Sequence, residues 1–226
     1  MPATSKLLEK RSERLTAILP ILRHDFPRPL TALHYSNPFE LLVATILSAQ
    51  CTDERVNMVT PALFARYQSI DAFAQADQIE LEQLIFTTGF YRNKAKSILG
   101  AARVILEQFG GELPRTLAEF VKVPGAGRKT ASVVLGSAFG IAEGIVVDTH
   151  VARLSKRLGL TKESDPIKVE RDLMAITPTN AWISLSHLLI LHGRASCTAR
   201  NPKCVRCTIA KHCPSAGKIT ATKATR

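Results

Sequence analysis

Four of the five cysteines stand at positions 197, 204, 207 and 213, in the run CTARNPKCVRCTIAKHC. Gaps of six, two and five residues bring four thiols into one short loop, a spacing that can wrap a single metal centre. Two centres suit four thiolates: an iron–sulfur cluster and a tetrahedral zinc ion. Disulfides do not suit the reducing compartment expected below. Arg194, Arg200, Lys203, Arg206 and Lys211 surround the loop and either meet phosphates or offset thiolate charge. Cys51 is left over and reads as a small buried apolar residue.

A second constellation is VPGAGRKTASVV, from Val123 to Val134. Pro124 ends one helix, Gly125 and Gly127 permit a left-handed backbone, and a new helix starts at Arg128. Backbone N–H groups then point outward together and form an anion site. Two cations in a helix's first turn oppose the local rule, because that end already carries partial positive charge. A rule broken beside a special turn marks a candidate site. Arg128 adds phosphate affinity without reading sequence. Lys129 has two readings: a phosphate contact, or an amine nucleophile. An amine must be neutral to attack, and both nearby positive charge and partial burial favour that form.

A third candidate is Asp148, in IVVDTHV. It sits where a helix N-cap belongs. A carboxylate held rigidly there also suits the stabilisation of a developing oxocarbenium or the relay of protons.

These residues must be positioned by helices. Apolar residues at Leu15, Ile18, Leu19 and Leu22 predict a helix over Lys10–His24. Asn37 caps the next, with Pro38 first and Glu40 third. Asp53 is expected to cap a helix through Arg66. Further helices are expected over Asp71–Ala76, Gln78–Thr87 (stopped by Gly89), Tyr91–Phe109 (ended by Gly110-Gly111), Thr116–Val121 and Arg128–Phe139. Asp148 and Asp165-Pro166 open two more, and Asn180–His192 is the last long one. Sustained alternation is absent, so the fold class is all-α. The tail from Ala216 to Arg226 is small, polar and basic, and is expected to be loose.

The 226 residues suffice for one large domain or two small ones, and 46% hydrophobic content is ordinary for a globular chain. A formal net charge of +11 points to an anionic partner, nucleic acid first. No apolar run approaches the roughly 20 residues that span a bilayer, so no membrane role is expected. The N-terminus lacks a signal peptide's apolar core, and the expected location is cytoplasmic.

The ordered set ILSAQCTD, GFYRNKAKSI, GGELP, VPGAGRKTASVV, VDTHVAR and LHGRASC with its cysteine loop resembles the endonuclease III family of helix-hairpin-helix DNA repair glycosylases. The matching elements run from about Asn37 to Cys213. The resemblance implies a two-domain α-helical fold. A six-helix barrel with the hairpin would span 31–142, and a cluster domain would form from 1–30 and 143–226. DNA would lie across the groove between them.

The resemblance also implies a [4Fe-4S] cluster on Cys197, Cys204, Cys207 and Cys213. It implies Lys129 and Asp148 as catalytic residues, and DNA contacts from Val123, Pro124, Gly125, Gly127 and Arg128. Gln50 would fill the gap left in the duplex, and Phe90 would wedge into the stack. The substrate would be double-stranded DNA with an oxidised pyrimidine or an abasic site, met by a monomer. The damaged base must leave the stack to be reached. A Schiff base on Lys129 would then allow β-elimination.

Other readings are a pyrimidine-dimer glycosylase of the same family and a non-enzymatic iron–sulfur redox sensor on DNA. An adenine glycosylase fits poorly, because it would lack the nucleophilic lysine and carry a further C-terminal domain. Cys51 beside Gln50 is expected to make that loop redox-sensitive, and the loop at Gly144, before Ile145, is expected to differ from relatives in length.

Overall fold

The computed structural model describes residues 3–218. Among them there are helices and turns and no strand. The helices are α1 (Ala3–Asp25), α2 (Pro38–Leu47), α3 (Asp53–Arg66), α4 (Ile70–Ala74), α5 (Gln78–Ile85), α6 (Tyr91–Phe109), α7 (Leu117–Phe120), α8 (Arg128–Phe139), α9 (Thr149–Arg157), α10 (Pro166–Met174) and α11 (Trp182–Ala195).

Oxygen-bearing side chains start most of them. Asn37 accepts from the Glu40 N–H at 2.9 Å, while the Glu40 carboxylate accepts from the Ser36 N–H at 2.6 Å. Ser69, Asp77, Thr116, Asp148 and Asp165 cap α4, α5, α7, α9 and α10 in the same manner. Each such cap fixes a helix start at a defined residue and contributes on the order of 1 kcal/mol.

Several expected boundaries shift. Thr52, not Asp53, caps α3: its backbone is extended and its hydroxyl accepts from the Arg55 N–H, while Asp53 is already helical. Helix α1 begins well before Lys10, since Leu7 and Leu8 are exposed and leave no apolar stripe to announce that turn. Helix α4 starts one residue early at Ile70, behind its Ser69 cap. Helix α5 ends at Ile85, and Phe86–Thr88 tighten into a 3₁₀ turn before Gly89. Residues Thr179–Ala181 are likewise 3₁₀, and α11 runs on to Ala195. A turn covers 214–218, and the remainder of the tail expected to be loose lies outside the described residues.

Contacts divide the chain into two compact units, Thr31–Glu143 and the two segments up to Leu30 and from Gly144. Each has its own core. In the first, α2 is buried on nearly every side (Phe39, Leu41, Leu42, Val43, Ala44, Ile46 and Leu47) and packs on α8 and α6. An all-round apolar helix of this kind is the centre of its unit. Phe73 and Phe120 are the largest side chains fully buried there. In the second unit, Leu15, Ile18 and Leu22 of α1 meet Leu185, Leu188 and Leu189 of α11 and Val151 and Leu154 of α9. The expected stripe of α1 is thus its buried face.

Candidate DNA-repair site and cluster loop

The hairpin is built in the Thr31–Glu143 unit. Helix α7 ends at Phe120, and the Val123 N–H bonds the Phe120 carbonyl at 3.1 Å. Val123 and Ala126 are buried and anchor the turn, while Gly125, Gly127, Arg128 and Lys129 are exposed. Gly125 has φ +77, and a Cβ there would stand 2.9 Å from the Ser97 Cβ and 3.1 Å from the Ile46 Cδ1. Both backbone and packing therefore require glycine at 125.

Gly127 differs from expectation. Its φ is −62, an ordinary value, and a Cβ there would meet nothing within 4 Å. The protein itself does not require glycine at this point. As N-cap of α8, Gly127 supplies no side-chain oxygen, so the first N–H groups of α8 stay uncapped behind an open approach. Lys129 lies in that first turn, and its side chain is exposed.

Gln50 and Phe90 project from two other turns of this unit. Both are exposed, Phe90 by 63%. Both have left-handed backbone, with φ 53 and 48, and no other non-glycine residue among those described does. Such conformations cost about 1–3 kcal/mol each and concentrate at functional sites.

Asp148 belongs to the other unit. It is half-buried, and its carboxylate accepts from the Val151 N–H at 2.8 Å, so the expected cap is formed.

At the far end of α9 lies the cysteine loop. Cys197, Cys204, Cys207 and Cys213 line one cavity walled by Leu154, Leu158 and Ile209. The thiols stand around this space. Among the described residues no three His, Cys, Asp or Glu side chains meet closely enough to hold one ion. Four thiols around one largely apolar cavity are the donor set that an iron–sulfur cluster takes. Burial, reinforced by the neighbouring thiols, pushes the Cys207 and Cys213 thiols above their ordinary range. A bound cluster would remove that obstacle, because a coordinating thiol is deprotonated outright.

Sequence reasoning missed the two arginines that hold this loop. Arg157 Nη1 donates to the Cys197 Sγ at 3.3 Å and to the Thr198 carbonyl at 2.7 Å, and Nη2 donates to the Ala199 carbonyl at 2.7 Å. Arg153 reaches the Gly193 and Cys197 carbonyls at 3.3 and 3.2 Å. A Cβ on Gly193 would stand 3.1 Å from Arg153 Nη2, so glycine clears that path. The i, i+4 spacing of Arg153 and Arg157 in VARLSKR was a visible sign of a shared face. Its target lies some forty residues on and was not visible.

Residues 43–179 match the HhH-GPD superfamily base excision DNA repair protein family, and residues 197–213 match the iron-sulfur binding domain of endonuclease III. The chain belongs to the endonuclease III family. Endonuclease III of Synechocystis sp. is 56% identical over 94% of this chain and 98% of its own length. That of Escherichia coli K12 is 40% identical over 93% and 97%. A trapped endonuclease III–DNA covalent intermediate superposes with TM-score 0.86 at 41% identity, covering 92% of this chain and 97% of that one. As a member of this family the chain is a DNA glycosylase with abasic-site lyase activity, it binds DNA, and its cofactor is a [4Fe-4S] cluster. Among the described residues no helix is long and apolar enough to cross a membrane.

Proposed function

We propose that this endonuclease III relative removes oxidised pyrimidines of the thymine glycol type from double-stranded DNA, as a monomer, and then cuts at the abasic site through Lys129. The observation that carries the reading is the start of α8. An exposed amine stands in the first turn of a helix whose N–H groups are uncapped and whose N-cap residue has no side chain in the way. Phosphate held by those N–H groups, with Val123 and Pro124 shaping the turn and Arg128 adding charge, brings the sugar to Lys129.

The steps follow from the chemistry of an amine. The neutral Lys129 Nζ attacks the sugar C1′, the glycosidic C–N bond breaks, and the base leaves with the electron pair and takes a proton. Ring opening gives a C=N bond to Lys129. Loss of the C2′ proton then expels the 3′ phosphate and cuts the strand. Asp148, fixed by its own helix, stabilises the positive charge that develops on the sugar and assists the proton transfers. Gln50 fills the space of the extruded nucleotide, and Phe90 separates the neighbouring bases.

Cys197, Cys204, Cys207 and Cys213 hold the cluster, which when bound crosslinks the loop they share. The functional division is a barrel domain over 31–142 and a cluster domain from 1–30 and 143–226. Such an enzyme works inside the cell, on chromosomal DNA.

A panel of duplexes containing thymine glycol, a pyrimidine dimer, an abasic site or no lesion tests this, with borohydride present or absent. The expected result is base release from thymine glycol and a covalent adduct trapped on the abasic site. Release from the dimer alone points to the related dimer glycosylase, and binding with neither release nor adduct points to a redox sensor.

A further inference from the structure

Lys94 is 5% exposed, in the first turn of α6. Its Nζ donates to the Leu47 carbonyl at 2.8 Å and to the Thr88 carbonyl at 2.8 Å. Leu47 is the last residue of α2 and Gln50 follows three positions on; Thr88 precedes Phe90 by two. The Lys94 backbone N–H also bonds the Phe90 carbonyl at 3.1 Å. We infer that Lys94 is a positioning residue, a buried ammonium that fixes the Gln50 turn and the Phe90 turn at one separation so that both enter the duplex together. This rests on the proposed roles of Gln50 and Phe90.

The chemistry favours that reading over plain packing. No carboxylate pairs with Lys94 among the described residues, and its bonds go to backbone carbonyls. Burial pushes its pKa below the ordinary lysine range, with the nearby Cys51 opposing that shift. A buried cation is a poor device for stability alone, since well-packed apolar residues do as well or better. What an ammonium offers is three donors on a long stem, able to join two segments distant in sequence. The two segments joined each carry a left-handed non-glycine residue, and such a conformation persists only where its surroundings over-determine it.

A double-mutant cycle on the full, cluster-bearing chain tests this. Single-turnover release of thymine glycol from duplex is measured for Lys94→Met, for Gln50→Ala/Phe90→Ala, and for the triple variant. The signal of 2-aminopurine placed opposite the lesion is followed in parallel. Lys94→Met is expected to lower the rate about tenfold or more and to blunt the fluorescence change, since small misplacements near a site carry penalties of that order. In the Gln50→Ala/Phe90→Ala background the same substitution is expected to change the rate by less than about twofold, because the residues it positions are gone. Lys94→Arg, still a cationic donor, is expected to recover part of the loss. Where Lys94→Met does not fold, Lys94→Gln, neutral but still a donor, takes its place in the cycle.

Full additivity, or a Lys94→Met variant at the wild-type rate, overturns the inference while leaving the roles of Gln50 and Phe90 intact. A Gln50→Ala/Phe90→Ala variant at the wild-type rate removes those roles, and the inference falls with them.

Discussion

Gln50 and Phe90 lie on different turns of one unit yet share the left-handed conformation that every other described non-glycine residue avoids. Neither is held in it by burial of its own side chain, for both are exposed. In the proposed function that conformation serves contact with DNA. Phe90→Gly is therefore expected to raise thermal stability slightly, by on the order of 0.5–1 kcal/mol, while lowering the rate of base release. Parallel melting curves and single-turnover rates check this. A variant that loses stability as well as rate would show that Phe90 is a packing residue.

The nucleophile is tested by trapping. Lys129→Gln is expected to abolish both the borohydride adduct and strand cutting, because only a C=N bond is reducible and a phosphate contact has none. Affinity for abasic duplex is expected to stay within about tenfold, since one exposed charge is worth on the order of 1 kcal/mol. Undiminished trapping by the variant would assign the nucleophile to another amine.

The two hairpin glycines separate fold from binding. Gly125→Ala forces a Cβ against Ser97 and Ile46 at a φ of +77, so it is expected to destabilise the fold by about 1–2 kcal/mol or more. At 127 a Cβ would meet nothing within 4 Å, so the melting curve of Gly127→Val is expected to be nearly unchanged while affinity for damaged and intact DNA falls alike. The salt dependence of binding, which reports the phosphates neutralised, is expected to become shallower for Gly127→Val. Unchanged affinity would remove the hairpin from the DNA interface.

Arg157 is expected to matter to the cluster more than to DNA. Its guanidinium joins the Cys197 sulfur to the carbonyls of Thr198 and Ala199. Arg157→Lys keeps the charge but not the fork, and is expected to lose iron measurably faster in air. Bleaching of the visible absorbance, with iron and sulfide content, reads this directly. A bleaching rate equal to that of the unmodified chain would reduce Arg157 to a surface contact.

What was legible in the chain was local. Asn37, Asp148 and Asp165 announced their helices because a cap is a contact three residues long. Asp53 misled, because Thr52 beside it is equally able to cap and the backbone angle decides. The glycine turn was visible as a turn, but the separate reasons for its two glycines were not. One answers to Ile46 and Ser97, far off in sequence, and the other to empty space. Lys94 was passed over as one more cation in GFYRNKAKSI. Yet it stands four residues before Ile98 on the apolar stripe that continues through Ala101, Ala102 and Ile105. A lysine in register with a buried face is a sign that could be read; its partner Leu47, 47 positions away, is not.

Helix α9 has nine residues, roughly 14 Å from end to end. Asp148 caps its start, and Arg157 at its end grips the cysteine loop. Short helices fray at ends that nothing ties down. This one is tied at the far end to the cysteine loop. The two ends of α9 thus have separate fastenings, the Asp148 cap at one and the Arg157 grip on the cysteine loop at the other. A disturbance of the cysteine loop would reach the Asp148 cap as slack in a mooring line, along about two and a half turns of backbone.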